Sequence, residues 1–149
     1  MKMIALLIVS FLCNVGLSKD NVTDLDHCHS QPYIDQPTGL LVYENPDDDA
    51  VYAGGNSRLL LDIAVLLSNI NAECDPLKIT RINLSFIVTV DGKVVGASLK
   101  GKPLDKLNSF ELHAIKSVER DLSGKWTPGK VNGVNINQLM YYPINIHLQ

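Results

Sequence analysis

The chain has 149 residues, 46% of them hydrophobic, and a formal net charge of −3 at neutral pH. That length builds one domain around a single core. A near-neutral balance also lacks the concentrated basic face that a nucleic-acid partner requires.

The charge is unevenly spread. Eight acidic residues and one lysine lie between Lys19 and Ser57, whereas eleven basic and eight acidic residues follow from Arg58 onward. The first part reads as an acidic arm, either solvated or folded back on a mildly basic domain. Ahead of it, Lys2 precedes an apolar run from Met3 to Val9 that continues through Phe11, Leu12 and Cys13, and Gly16-Leu17-Ser18 supplies small residues. This pattern predicts a secretory signal peptide over residues 1–18. The rival readings are a membrane anchor, which needs ~20 apolar residues, and a lipoprotein cysteine at Cys13, which Leu12 fits poorly. Residues 19–49 are then the acidic arm and residues 50–149 the domain.

Without the signal, two cysteines remain, Cys28 and Cys74. An even count in an exported chain favours a disulfide between them over two buried thiols. Such a bridge would stabilise by roughly 3–4 kcal/mol and hold the arm against the domain. His27-Cys28-His29 offers metal-ligand atoms, but alternate residues of an extended segment point opposite ways, so no metal is expected.

Residues 19–38 are polar and aperiodic and read as loop, and Gly39 to Glu44 as a short strand. Asp47-Asp48-Asp49 lacks the alternate spacing of a calcium loop and reads as a solvated face. After Gly54-Gly55, Leu59, Ile63, Leu66, Leu67 and Ile70 recur at helical spacing, with Asn56 or Ser57 as the cap. Arg81 to Val90 alternates as a strand, Asp91-Gly92 turns it, and Lys93 to Leu99 returns, with Gly96 marking a bulge. Asn108 and Glu111 form a capping box, flanked by Leu107 and Leu112. Phe110, Ala114, Val118 and Leu122 give that second helix its stripe, and Gly124 ends it. Trp126 is an aromatic anchor before two turns, Pro128-Gly129 and Asn132-Gly133. A closing strand follows, with Tyr142, Ile144, Ile146 and Leu148 on one face. Pro143 has no amide donor, which places that strand at a sheet edge. The expected class is α+β: two helices packed on a three-stranded antiparallel sheet.

Little in the chain reads as catalytic. Gly96 to Lys102 meets seven positions of a phosphate-binding loop, but Pro103 stands where a hydroxyl is needed and the segment is a hairpin strand. His113 and His147 are isolated, and no nucleophile or carboxylate pair sits in a recognisable motif. The expectation is no enzyme and no cofactor.

From about Val42 onward the chain resembles the TonB C-terminal domain family. The matching pieces are Ala50-Val51-Tyr52-Ala53-Gly54-Gly55, then Phe86-Ile87-Val88-Thr89-Val90-Asp91-Gly92-Lys93-Val94, then Leu104-Asp105. Trp126-Thr127-Pro128-Gly129, Asn132-Gly133 and Tyr142-Pro143-Ile144-Asn145-Ile146-His147-Leu148 complete them. The resemblance implies a non-enzymatic module in the periplasm of a Gram-negative envelope, with neither a nucleic-acid partner nor a small-molecule substrate. Such a module pairs its last strand with a TonB-box-like peptide of an outer-membrane receptor, powered by the ExbB–ExbD motor. Carried over, Tyr141, Tyr142, Ile144, Asn145, Ile146 and His147 would contact the partner. Trp126, Pro128, Gly129 and Gly133 would be structural, as would Asp91 and Gly92 at the hairpin. The short leader and the absence of an intramembrane histidine imply an accessory or diverged member. The alternative is an exported homodimer closed by its edge strands, with no transport role.

Overall fold

Alternation is the strongest signal in the chain, and the strand it specifies is the centre of the sheet. The structure is a computed structural model that describes residues 31–71 and 81–145. The signal segment, the proposed Cys28–Cys74 bridge, His27, His29, Ile146 and His147 lie outside those residues. In chain order the strands before the first helix are β1 (Tyr33–Ile34), β2 (Leu41–Val42) and β3 (Val51–Tyr52). Helix α1 (Gly55–Asn71), β4 (Arg81–Val88), β5 (Val94–Leu99), a 3-10 turn (Leu104–Lys106) and α2 (Ser109–Leu122) follow. The chain then forms β6 (Trp126–Thr127), β7 (Lys130–Val131), β8 (Val134–Asn135) and β9 (Gln138–Asn145). The class is α+β, with the named strands paired antiparallel and the longest sheet ordered β5-β4-β9.

Period-two alternation sends Ile82, Leu84, Phe86 and Val88 to one face of β4, where all four are buried in the main core. Leu59, Ile63 and Leu67 of α1 and Phe110, Ala114, Ile115, Val118 and Leu122 of α2 enter the same core. Helix α2 lies against β5 and α1 against α2. The helical stripes thus fall where spacing places them, although α1 begins at Gly55, so Asn56 and Ser57 sit inside its first turn. The capping box is formed: Asn108 Oδ1 accepts from Glu111 N at 2.8 Å, and Glu111 Oε2 accepts from Asn108 N at 3.0 Å. Lys102 Nζ closes on the same Glu111 carboxylate.

Four aromatic rings tie the elements together. Trp126 meets Tyr52 edge-on at 5.1 Å between centroids and Phe86 at 5.6 Å, and Phe86 stacks on Tyr142 at 5.6 Å. Such pairs add roughly 0.5–1.5 kcal/mol each beyond area burial. Tyr52 and Trp126 are also register partners in the β3–β6 pair. The indole Nε1 is buried without a hydrogen-bond partner among the described residues, so shape and ring contact hold this side chain in place.

The hairpin tip is pressed against that anchor. Thr89 N donates to Lys93 O at 2.9 Å, leaving Val90, Asp91 and Gly92 as a three-residue loop instead of a two-residue turn. Gly92 has φ +74°, and a Cβ there would fall 2.3 Å from the Trp126 carbonyl oxygen. Gly124 N donates to Gly92 O at 2.9 Å, which fastens the end of α2 to the tip. The second turn follows expectation: Asn132 and Gly133 both have positive φ, 50° and 75°, and join β7 to β8.

The opposite face of the sheet is not left to solvent. Val42, Ile87 and Ile136 are buried but stand outside the main core. Residues 31–44, expected as loop before Gly39, form the β1–β2 hairpin, and its turn crosses this face. Thr38 Cγ2 lies 2.7 Å from where a Gly96 Cβ would be. The expected bulge at Gly96 is present, because pairing shifts between Ser85↔Ser98 and Ile87↔Val95.

Two outcomes follow. Gly92→Ala is expected to destabilise by roughly 2–3 kcal/mol, since strain at positive φ is joined by the clash with Trp126. Gly101→Ala, at φ +84° with open space around it, should lose only about 1 kcal/mol. Urea unfolding of the two variants measures the difference. The second concerns Asp62, whose Oδ2 accepts from the Tyr52 hydroxyl at 2.7 Å. That bond, with Arg58 and Lys125 nearby, holds the Asp62 carboxyl below the usual carboxylate range. Burial and Asp62 together push the Tyr52 phenol well above its ordinary value. A depressed carboxyl stabilises above its unfolded pKa and loses that contribution as pH falls; a raised phenol loses its contribution as pH rises. Tyr52→Phe should therefore flatten the stability profile below about pH 4 and above about pH 10, read from unfolding midpoints across pH.

Candidate functional site: the outer edge of the closing strand

Strand β9 borders β4 along its whole length, from Gln138↔Val88 to Asn145↔Arg81, and so forms one edge of the sheet. In an antiparallel ladder the main-chain groups of successive residues point alternately to either side. Tyr43 fixes which residues point outward. Its amide donates to Asn137 O at 2.9 Å, and its carbonyl accepts from Leu139 N at 2.9 Å. The outward positions are therefore Leu139, Tyr141, Pro143 and Asn145, while Gln138, Met140, Tyr142 and Ile144 face β4.

Tyr43 bridges Gln138 in parallel register and so covers the first part of this edge. The chain then turns away at Glu44. Beyond that point, the Leu139 carbonyl, both main-chain groups of Tyr141 and the Pro143 carbonyl have no partner among the described residues. Pro143 faces outward, so its missing N–H costs the β4 ladder nothing, as its place at an edge requires.

The other sheet edge, β5, is capped at several positions. Ser123 Oγ accepts from Val94 N at 2.9 Å, Glu119 Oε1 accepts from Ala97 N at 2.9 Å, and Lys102 N donates to Leu99 O at 3.0 Å. Two side chains of the α2 region and one turn thus occupy the outward amides of Val94 and Ala97 and the Leu99 carbonyl.

Side chains around the open stretch of β9 are aromatic. Tyr141 is 48% exposed and lies under the Lys100 ammonium, 5.1 Å from nitrogen to ring centroid. Tyr33 donates to Glu44 Oε1 at 3.0 Å. Burial, then that carboxylate, push its phenol up to about 12. The Tyr141 phenol is also raised, by burial and then by Glu44 and Asp35. Both rings are neutral at physiological pH and present hydroxyls as well as apolar faces.

The expected contact residues separate by face. Tyr141 is exposed at an outward position. Tyr142 and Ile144 turn their side chains toward the core, and burial pushes the Tyr142 phenol up to about 12. Asn145 ends the described part of β9. Of the expected structural residues, Trp126 is core, Gly92 supports it, and Gly129 sits where a Cβ would fall 2.7 Å from Gln138 Oε1. Pro128 precedes this contact between the last turns and the strand. The segment from Gly96 to Lys102 is strand and turn, not a strand-to-helix phosphate loop, and its Lys102 is engaged by Glu111. Among the described residues no group of three His, Cys, Asp or Glu side chains is placed to hold a metal ion, and no helix is long and apolar enough to cross a membrane.

Sequence reasoning missed Gln138. It is 3% exposed, accepts from Ala50 N at 2.6 Å and donates to Asp49 Oδ1 at 2.6 Å. Asp47 Oδ2 accepts from Asn132 N at 2.6 Å. Asp47, Asp48 and Asp49 are all exposed, as a solvated face expects, and Asp47 and Asp49 in addition fasten the end of the arm to the last turn and the start of β9. Only the polarity of a residue between Ile136 and Leu139 hinted at it. Gln138→Leu should lose about 2–3 kcal/mol in urea unfolding by leaving the Ala50 amide buried and unpaired. Gln138→Glu keeps that acceptor but faces Asp49, so its defect should shrink on acidification. No protein-family model, curated protein or solved structure matches the chain.

Proposed function

We propose that this protein is a non-enzymatic binding module of the TonB C-terminal type, exported to the periplasm, that takes up an extended peptide along the outer edge of β9. The observation that carries this reading is the contrast between the two sheet edges. One is capped by Ser123, Glu119 and Lys102, whereas the other leaves Tyr141 unpaired among the described residues. Strand addition draws its affinity from main-chain hydrogen bonds and its specificity from flanking side chains. The two helices, the three-stranded sheet and the Trp126 anchor agree with that architecture, and the resemblance in sequence names an outer-membrane receptor segment as the peptide. Tyr141 is the central contact, with Leu139, Pro143 and Asn145 beside it. Tyr142 and Ile144 act through the core, by setting the strand's position. Coupling to ExbB–ExbD is the family role and a further part of this proposal.

Tyr141→Pro tests it directly. The Tyr141 amide points away from β4, so the substitution removes an outward donor without deleting a ladder bond. The full chain is expected to remain folded by circular dichroism and to lose binding to arrayed amino-terminal peptides of outer-membrane receptors by about tenfold or more. A wild-type dimer that dissociates on the same change would assign the edge to a second copy of the chain. Unchanged peptide binding would remove β9 as the docking edge.

A further inference from the structure

An open groove of about 990 Å³ runs between β5 with its following segment, α2 and the turn of the arm hairpin. Its wall is apolar, made by Leu99, Leu104, Leu107, Leu112 and Ile115. Leu104, in the 3-10 turn, is 64% exposed and adds its aliphatic side chain to the groove's lining. Lys100, Lys102 and Lys116 stand around the groove.

The polar groups along it are mostly committed. Glu119 takes the Ala97 amide, the Ser85 and Ser98 hydroxyls bond each other at 2.8 Å, and the Asp35 carboxylate takes the amide and hydroxyl of Thr38. Lys102 is held by Glu111. Lys100 and Lys116 are exposed, and neither has a carboxylate partner among the described residues. Because the β5 edge is capped, a peptide could add no regular strand here. Three lysines in the lining outnumber its two carboxylates, Asp35 and Glu119. What remains on offer is apolar surface with two ammonium groups at its rim that no described carboxylate pairs, Lys100 over the Tyr141 ring and Lys116. An occupant complementary to both has a hydrocarbon body and an anionic end.

We propose that this groove binds a single-chain amphiphile with an anionic head, a fatty-acid carboxylate, with its chain along the leucine wall and its head at Lys100 and Lys116. The site does not rest on strand addition at β9; the two share Tyr141, which lines the groove, and Lys100 above its ring.

Calorimetric titration of the full chain tests this with laurate, below its micelle concentration, and with dodecyltrimethylammonium, which has the same chain length and the opposite head charge. Laurate is expected to saturate at one molecule per chain, and the cationic amphiphile to show no saturable binding. Lys100→Glu with Lys116→Glu should weaken laurate binding roughly tenfold, and Leu104→Asp should do likewise. All three positions are exposed, so circular dichroism should stay unchanged. Equal binding of the two amphiphiles, laurate that does not saturate, or variants that bind as the wild type would each overturn the proposal. Tighter, competitive binding of an acidic amphipathic peptide would overturn it too, assigning the groove to a protein segment.

Discussion

The contact between Trp126 and Gly92 is the constraint on which the remaining geometry rests. Trp126 receives Tyr52 on one side and Phe86 on the other, and Phe86 passes the stack on to Tyr142. These rings come from β3, β6, β4 and β9, elements far apart in sequence, so one side chain sets the mutual position of the sheet and the segments before and after it. The Trp126 carbonyl also presses on the β4–β5 tip, where only glycine fits. Each ring pair contributes about 0.5–1.5 kcal/mol, a large share of the roughly 5–15 kcal/mol by which a domain is stable. Position, more than energy alone, is what the site depends on. Tyr142 holds its ring against Phe86, and that fixes the face toward which Tyr141 must point.

Placement of Tyr141 acquires meaning from how the sheet treats its edges. Unpaired strand edges invite uncontrolled association, and proteins blunt them with charges, proline, bulges or covering segments. Here β5 carries a bulge at Gly96 and receives side-chain caps from Glu119 and Ser123. Strand β9 receives a different treatment: Tyr43 covers its beginning and Pro143 deletes a donor further on. Between these lies a short window in which the Tyr141 donor and acceptor are both unpaired among the described residues. An edge limited on both flanks in this way resists long unspecific ladders, and under the proposed reading its middle would admit one short extended segment.

Local rules made much of this legible from sequence. The Asn108–Glu111 capping box, the Asn132-Gly133 turn, the alternation of β4 and the edge position marked by Pro143 each rest on residues within a few positions of one another. What escaped depends on distant partners. Gln138 is a buried brace only because the loop at Asp49 and Ala50 returns to it across 88 positions. Thr38 shapes a hairpin turn that gains its role by meeting Gly96 across the sheet. Strands of two residues, such as β3 and β6, are too short to show a period, and they exist because Trp126 and Tyr52 pack together. The caps on β5 read in sequence as ordinary helix residues; only the fold brings Glu119 and Ser123 to the strand edge.

The magnitude of edge pairing bounds what β9 does alone. A main-chain hydrogen bond contributes a net 0.5–1.5 kcal/mol, and the open window offers the Leu139 carbonyl, two groups of Tyr141 and the Pro143 carbonyl. Full use of all four yields roughly 2–6 kcal/mol, at best near the low end of the roughly 4–15 kcal/mol lost in bringing two molecules together. The proposed strand addition would therefore also draw on side chains to hold a partner, and the nearest are Tyr141 with its Lys100 lid, Tyr33, and Leu41 at 45% exposure. Those residues belong to β9 and to the arm hairpin, and Tyr43 of the same arm already occupies the adjoining ladder positions. Under the proposed strand addition the arm belongs to the recognition surface: it closes one end of the edge, supplies its aromatic flank, and is fastened in place through Gln138 at the strand's first residue.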